Sequence, residues 1–306
     1  MTNQWTTDYH QVVYNTCQRV IGHPFYRYRL QCQLSRGTNQ LSIAAPFQVI
    51  NHIYKYTVNE SWQFSNFRGC ITRGIFLTLS GFSDVMVKKL LVSKLLQNWR
   101  VNHKVYSLFS NYTIPIVTMI SAPLFRTTLA HVVEIDSIRM HFMDLLEQVS
   151  KEPLSYSSYS PRILLPLFGW KLIHNIIYST LNKNIPSLAI GNDRSEVVTT
   201  LNYFLRHLII SAISDIATYP LETILVRSCL QGIDLVINDV TKGTPIGLES
   251  FVSHSSLNIL SSLLSKEGYF GLYKGVTTLA IEYAVVCGLT LLVIHLYSKY
   301  SPDEYN

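Results

Sequence analysis

The sequence has 306 residues, with 25 basic and 19 acidic side chains and a formal net charge of +6. Charged residues make up only 14% of it, whereas soluble domains carry roughly 25%. A charge balance this mild, without a run of five or more basic residues, argues against nucleic-acid binding. Together with 19 Tyr and 4 Trp, the low charge predicts a membrane protein with aromatic side chains at the interfaces.

Six long segments carry few charges and are long enough to cross a bilayer as helices, at a rise of about 1.5 Å per residue. In chain order they are 12–34, 70–99, 112–133, 161–181, 203–230 and 275–297. The polar residues within them are too costly to face lipid, so we expect them to face a shared interior. The polar stretches 182–196 and 231–248 are predicted to be loops.

Three prolines late in hydrophobic segments indicate an internal repeat. Pro24, Pro123 and Pro220 are separated by 99 and 97 residues. This spacing predicts three units of two helices each, with the second unit degenerate: 1–104, 105–196 and 197–306. A proline within a helix removes one backbone hydrogen bond and kinks it, so three kinks at one depth would close the helices into a cup.

A second motif lies just before the last hydrophobic segment. It reads Glu-Gly-Tyr-Phe-Gly-Leu-Tyr-Lys-Gly over 267–275, and its key residues are Glu267, Gly268, Tyr273, Lys274 and Gly275. Degraded copies at 67–69 and 151–153 precede the second and fourth segments. The repeated position favours a conserved role for the motif within each unit over a chance turn.

These features resemble the mitochondrial carrier family, whose units carry Pro-x-acid-x-x-base-x-base followed by an acid-Gly-x4-aromatic-base-Gly motif. The resemblance implies an all-α membrane protein with six transmembrane helices in three pseudo-symmetric two-helix repeats. Short strings at 31–33, 46–51 and 271–275 are similar to an outer-membrane branch of that family. The remnants of its motifs here are Pro24, Arg29, Pro123, Pro220, Glu222, Arg227 and the motif residues Glu267, Gly268, Tyr273, Lys274 and Gly275.

Most charges of the first motif are missing. The acidic position holds Tyr26, Phe125 and Glu222 in the three units, and the first basic position holds Arg29, Thr128 and Leu225. In transporting members, the resemblance implies, these charges form a ring of ion pairs that opens in every transport cycle. One carboxylate cannot complete a threefold ring, so we expect the gate to be lost.

Four further polar residues are predicted to face the interior. Arg19, Thr118 and Asp215 each precede a kink proline by five residues and should therefore lie at one depth. Two interpretations of Arg19 and Asp215 stay open. In one they form a charge pair across the cup, and in the other each charge is hydrated separately. Glu282, in the middle of the last segment, must also face the interior.

The remaining candidates are assigned structural roles. Arg227 is expected to anchor to a backbone carbonyl, with a lipid phosphate as the alternative, and His23, His174 and His295 are interpreted as spacers. The sequence shows no metal-ligand spacing, nucleophile elbow or phosphate-binding loop. We therefore expect no metal, cofactor or catalytic residue.

The resemblance also implies a function. It indicates a multi-pass protein of the mitochondrial outer membrane that acts as an adaptor in fission and fusion balance, cristae maintenance and lipid homeostasis. Implied partners are membrane lipids, mitochondrial fusion GTPases, the cristae-organising complex and the ER membrane complex. Two alternatives stay open: an inner-membrane metabolite transporter, and a lipid scramblase or insertase that uses the polar cup.

Overall fold

The computed structural model describes residues 12–13, 16–34, 70–87, 119, 121–133, 160–186, 196–230, 236–238, 245–247 and 255–300. Its helices are α1 His23–Leu34, α2 Cys70–Val87, α3 Ala122–Val133, α4 Pro161–Asn184, α5 Glu196–Cys229, α6 Ser256–Glu267 and α7 Val276–Tyr300. A short 3₁₀ helix, Tyr269–Tyr273, joins α6 to α7. Two strands, β1 Val236–Asn238 and β2 Pro245–Gly247, complete the described elements.

Each of the six predicted segments contains one of these helices, α1 to α5 or α7. Two stretches, Asn202–Cys229 and Tyr269–Val293, are long and apolar enough to cross a membrane by length and composition. The fold is therefore predominantly helical, with a small sheet. Thr118 lies outside the described residues.

The two predicted loops are shorter than expected. Helix α4 runs to Asn184 and α5 begins at Glu196, so both helices extend into the first predicted loop. Within the second, β1 and β2 pair antiparallel, with Val236 opposite Gly247 and Ile237 opposite Ile246. The predicted all-α class fits the described helices but omits this short hairpin, where Val and Ile favour extended backbone.

The three repeat prolines do not occupy equivalent places in their helices. Pro220 lies inside α5, as predicted. Pro24 and Pro123 instead are the second residues of α1 and α3, in the first turn, where a missing N–H is tolerated. A turn at Gly22 separates α1 from the helical residues 16–21.

Helix α5 is the centre of the packing. It contacts α1, α3, α4, α6 and α7. One apolar cluster joins it to α1, α3 and α4 through residues such as Leu30, Leu129 and Leu225. A second joins it to α7 through Leu208, Tyr219 and Leu279. Burying a side chain of this size stabilises the fold by about 1.5–3 kcal/mol.

Hydrogen bonds from two side chains of α5 position the loop that precedes α7. The Tyr219 hydroxyl donates to the Lys274 carbonyl at 2.5 Å, and the Thr223 hydroxyl donates to the Leu272 carbonyl at 3.0 Å. Gly275 has a φ of 83°, and a β-carbon there would lie 3.2 Å from the Arg29 carbonyl oxygen. The glycine that ends the 267–275 motif therefore allows both the left-handed backbone and the close approach of α1.

A buried ion network ties the same loop to α5 and α1. Arg227 donates through Nη1 and Nη2 to the two Glu267 carboxylate oxygens at 3.1 and 3.2 Å, and Lys274 Nζ lies 2.6 Å from Glu267 Oε2. Arg227 Nε donates to the Gln33 carbonyl at 2.8 Å. The carbonyl anchor predicted for Arg227 is present. The same guanidinium also pairs with the Glu267 carboxylate, a partner that the sequence did not predict.

We expect Glu267→Gln to lower the free energy of unfolding by about 3 kcal/mol, because it leaves two buried cations without their carboxylate. The thermal unfolding midpoint of the purified protein, measured by intrinsic fluorescence, reports this loss. Lys266→Gln is the matched control, since Lys266 is the adjacent residue and is exposed. Equal midpoints for the two variants would contradict a stabilising role for the network.

Candidate functional site

Two of the three charges that remain of the gate motif, Arg29 and Glu222, contact each other. Arg29 Nη2 on α1 donates to Glu222 Oε1 on α5 at 2.9 Å, and the two side chains are 4% and 12% exposed. The Arg29 guanidinium also lies 4.9 Å from the centre of the Tyr26 ring. The structure thus retains one ion pair of the ring that the resemblance implies for transporting members of the family.

The other gate positions are uncharged and pack into apolar surroundings. Tyr26, Phe125 and Leu225 belong to one cluster shared by α1, α3, α4 and α5. Phe125 contacts the Phe76 ring at 5.8 Å and stacks on Trp170 at 6.5 Å. The hydroxyl of Thr128 donates to the Leu124 carbonyl of its own helix at 2.7 Å. Aromatic and aliphatic packing therefore replaces ion pairing at these positions.

Asp215 is the second polar centre of the interior. Its Oδ1 lies 3.0 Å from His174 Nε2 on α4, and its Oδ2 accepts from the Tyr283 hydroxyl on α7 at 2.5 Å. Arg19 Nη2 lies 4.0 Å from Oδ2. The structure therefore agrees with the charge-pair interpretation of Arg19 and Asp215. It corrects the interpretation of His174 as a spacer, because the imidazole bonds directly to the carboxylate.

Glu282 is buried, as predicted, and faces α1. A β-carbon on Gly22 would lie only 2.5 Å from its Oε1 atom. Glu282 as a whole is 5% exposed. Its carboxylate interacts electrostatically with Arg19, Arg29 and Arg73. Gly22 thus makes room for a charge that lipid would exclude.

A cavity of about 220 Å³ lies between the gate pair and Asp215. Its charged lining consists of Arg19, Arg29, Arg73, Lys171, Asp215 and Glu222. Its other lining residues on α2, α3 and α4 include the apolar side chains Phe76, Phe125, Leu129 and Trp170 and the hydroxyl side chains Ser80 and Thr128. The cavity therefore has a mixed ionic and apolar lining.

Sequence reasoning missed three polar residues of this interior. Arg73 on α2 stacks on the Tyr26 ring at 3.4 Å and donates to the Arg19 carbonyl at 3.0 Å. His174 and Tyr283 hold Asp215. None of the three lies in a repeated motif, so the signal available was only that each is a polar residue within an apolar segment.

The described residues hold no group of three or more His, Cys, Asp and Glu side chains that could bind a metal ion. The polar centres instead combine each carboxylate with cationic or hydroxyl groups. Chemically, this arrangement balances buried charge and offers donors to an anion.

Comparison with known proteins agrees with the family features of the third unit. The family described as "Mitochondrial carrier protein" matches residues 196–304. The chain is 23% identical over 304 residues to "Solute carrier family 25 member 46" of Xenopus tropicalis, covering 90% of this chain and 71% of the relative. It is also 23% identical over 308 residues to "Mitochondrial outer membrane protein SLC25A46" of Homo sapiens, covering 92% and 72%.

A third relative carries the same printed name. "Mitochondrial outer membrane protein SLC25A46" of Rattus norvegicus is 22% identical over 309 residues, covering 92% of this chain and 72% of its own length. The similarity thus extends well beyond the segment that the family profile matches. The carrier motifs of residues 197–306 and the retained Arg29–Glu222 pair agree with this similarity to the mitochondrial carrier family and to its member 46.

Proposed function

We propose that this chain is a noncatalytic, non-transporting, multi-pass protein of the mitochondrial outer membrane. In this proposal α1 to α5 and α7 are six transmembrane helices in three two-helix repeats. The protein acts as an adaptor in the balance of mitochondrial fission and fusion, in cristae maintenance and in lipid homeostasis. Its proposed partners are membrane lipids, fusion GTPases, the cristae-organising complex and the ER membrane complex.

The observation that carries the proposal is the composition of the gate. Only Arg29 and Glu222 form an ion pair there, while Tyr26, Phe125 and Leu225 pack in one apolar cluster among the described helices. An ion pair can exchange its partner for water when a gate opens. Opening a gate of apolar side chains instead exposes them to water, which costs about 25 cal/mol of free energy for each Å² of apolar surface. This gate therefore favours the closed state.

The relatives support the proposed location. The human and rat relatives are named as mitochondrial outer membrane proteins. Outer-membrane placement for this chain follows by similarity. The adaptor roles rest on the resemblance to that branch of the family and on the loss of the gate.

A second candidate is lipid scrambling or insertion along the polar interior. The observation that favours it is the set of charges in and beside the cavity, which includes Arg19 in the lining and the buried Glu282. If this candidate is right, lipids with labelled headgroups cross a vesicle bilayer that contains the protein. The Arg19→Leu and Glu282→Leu variants should abolish this movement. Equal movement in protein-free vesicles would exclude it.

We expect no exchange of labelled nucleotide, amino acid or carboxylate by the purified protein in liposomes. The physical reason is that a gate packed from apolar side chains does not alternate. A transporting member of the family reconstituted in parallel shows that the assay works. Saturable exchange above that of protein-free liposomes would overturn the adaptor proposal in favour of a metabolite transporter.

A double-mutant cycle tests whether the gate pair is a fixed structural contact. We expect Arg29→Met and Glu222→Met each to cost about 3–5 kcal/mol, because each leaves one buried charge unpaired. The double variant should cost less than either single variant, since it removes both charges. Thermal unfolding of the purified variants measures the cycle. Additive losses would contradict a fixed pair.

Protease protection tests the location. External protease added to intact mitochondria should cleave the chain, as followed through tags on both termini and through the fragments that appear. An inner-membrane marker must stay intact in the same samples until the outer membrane is ruptured. Protection of the whole chain until that rupture would place it in the inner membrane and contradict the proposal.

A further inference from the structure

Large apolar side chains are exposed along one end of the helix bundle. Between 66% and 79% of their surface is accessible, and we call them the end patch: Leu165 on α4, Leu257 on α6, and Tyr269 and Phe270 in the 3₁₀ helix. The Ser256 hydroxyl donates to the Arg162 carbonyl at 2.8 Å, which places the first turn of α6 against the first turn of α4. Exposed apolar side chains grouped in this way mark a surface that a partner covers.

The end patch lies where the bundle begins its last long apolar stretch. Ile259 and Leu263 on the inner face of α6 bury against Ile224, in the C-terminal part of α5. Tyr269 is the first residue of the stretch Tyr269–Val293, which is long and apolar enough to cross a membrane. In the membrane-embedded fold proposed above, the end patch is therefore at the level where α7 enters the bilayer.

The turn that carries the two aromatic side chains is fixed from the inside. Glu267, just before this turn, accepts from Arg227 at 3.1 and 3.2 Å. A β-carbon on Gly271 would lie only 2.6 Å from the Glu267 β-carbon, so the 3₁₀ helix packs tightly against the end of α6. Tyr269 and Phe270 are thus presented by an ordered turn. Such a turn loses little conformational entropy when a partner covers it.

The exposed charges beside the end patch are basic. Arg162 and Lys266 are exposed, whereas Glu267, the one acidic residue of α6, is paired with Arg227 and Lys274. Basic side chains next to exposed apolar ones favour the surface of a bilayer with anionic headgroups. Aromatic side chains, above all Tyr with its polar hydroxyl, are enriched at the same depth.

The outer face of α6 argues against a helix of another protein as the partner. A docked helix needs apolar anchors that follow one another about every turn. One and two turns after Leu257, the exposed positions of α6 hold Ser261 and Ser265 instead. Hydroxyl groups between apolar side chains suit the headgroup layer of a membrane, where water and phosphate oxygens satisfy them.

We propose that α6 and the 3₁₀ helix lie in the headgroup layer of an anionic bilayer. Tyr269 and Phe270 insert at the boundary with the acyl chains, and Arg162 and Lys266 face the lipid phosphates. The proposal rests on the membrane-embedded fold of the proposed function. It goes further by assigning the end patch to lipid and not to a protein partner.

The test uses the purified full chain in nanodiscs and an added Trp as a depth probe. Phe270→Trp and Val285→Trp each add one Trp to the 4 of the wild type, and Val285 is an exposed residue near the middle of α7. The emission above that of the wild type reports the added side chain. Phosphatidylcholine brominated near the glycerol should quench Phe270→Trp more strongly, and phosphatidylcholine brominated near the chain ends should quench Val285→Trp more strongly. Should Phe270→Trp not fold, Tyr269→Trp probes the same turn.

A second measurement tests the basic side chains. Brominated phosphatidylserine replaces brominated phosphatidylcholine at the same mole fraction, and we expect it to quench Phe270→Trp about twofold more strongly, because basic side chains attract anionic headgroups. Lys266→Gln, added to Phe270→Trp, should reduce this difference. Lys183→Gln is the matched control and should leave it unchanged, since Lys183 is exposed in the last turn of α4, at the other end of that helix.

Three results would overturn the inference. Phe270→Trp that is quenched by acrylamide from the water and by neither brominated phosphatidylcholine would place the turn in the aqueous phase. Phe270→Trp that is shielded from acrylamide and from both lipids would place it against protein, as in partner docking. Equal quenching by the serine and choline lipids would contradict an anionic surface.

The Val285→Trp variant separates these failures from a failure of the proposed fold. If Val285→Trp is quenched by the lipid brominated near the chain ends while Phe270→Trp is not quenched by lipid, α7 spans the bilayer and only this inference falls. If lipid quenches neither added Trp, the membrane-embedded fold falls as well.

Discussion

Three of the charged side chains of helix α5, Asp215, Glu222 and Arg227, are buried or nearly so and form ion pairs, and each is balanced by a different neighbour. Asp215 meets His174, Tyr283 and Arg19; Glu222 meets Arg29; Arg227 meets Glu267. Because removing one partner of a buried pair costs about 3–5 kcal/mol, the helices that bring these partners cannot shift independently. The positions of α1, α4, α6 and α7 around α5 follow from this requirement.

The distribution of charge along α5 also explains why the third unit retains the family motifs. The Arg227–Glu267–Lys274 network ties the two motifs of that unit together through bonds of 2.6–3.2 Å. Substitution of any member would leave a buried charge. At three other gate positions, by contrast, Tyr26, Phe125 and Leu225 pack in one apolar cluster, so these positions do not depend on a charge of their own. The same helix bundle can therefore lose its gate while it keeps its fold.

The sequence predicted what depends on local pattern and on the repeat. The six helical segments, the interior face that includes Asp215 and Glu222, and the turn at Gly275 follow from hydropathy, spacing and glycine. The partners His174, Tyr283 and Arg73 did not follow, because each contact joins distant helices and none lies in a repeated motif. The hairpin at β1 and β2 was also missed, since turn-forming residues around it masked two short runs of β-favouring side chains.

The charges retained at the gate need a physical reason. Buried ion pairs contribute little net stability compared with apolar packing of similar volume, so stability alone does not account for Arg29 and Glu222. Fixing the register of α1 on α5 accounts for that pair, because only one alignment brings the two groups within 2.9 Å. Arg73 is stabilised differently: its guanidinium stacks on the Tyr26 ring at 3.4 Å, donates to the Arg19 carbonyl at 3.0 Å and interacts electrostatically with Glu282. Because Tyr26 lies on α1 and Arg19 lies just before it, these contacts hold α2 against the same helical segment that the gate pair holds against α5.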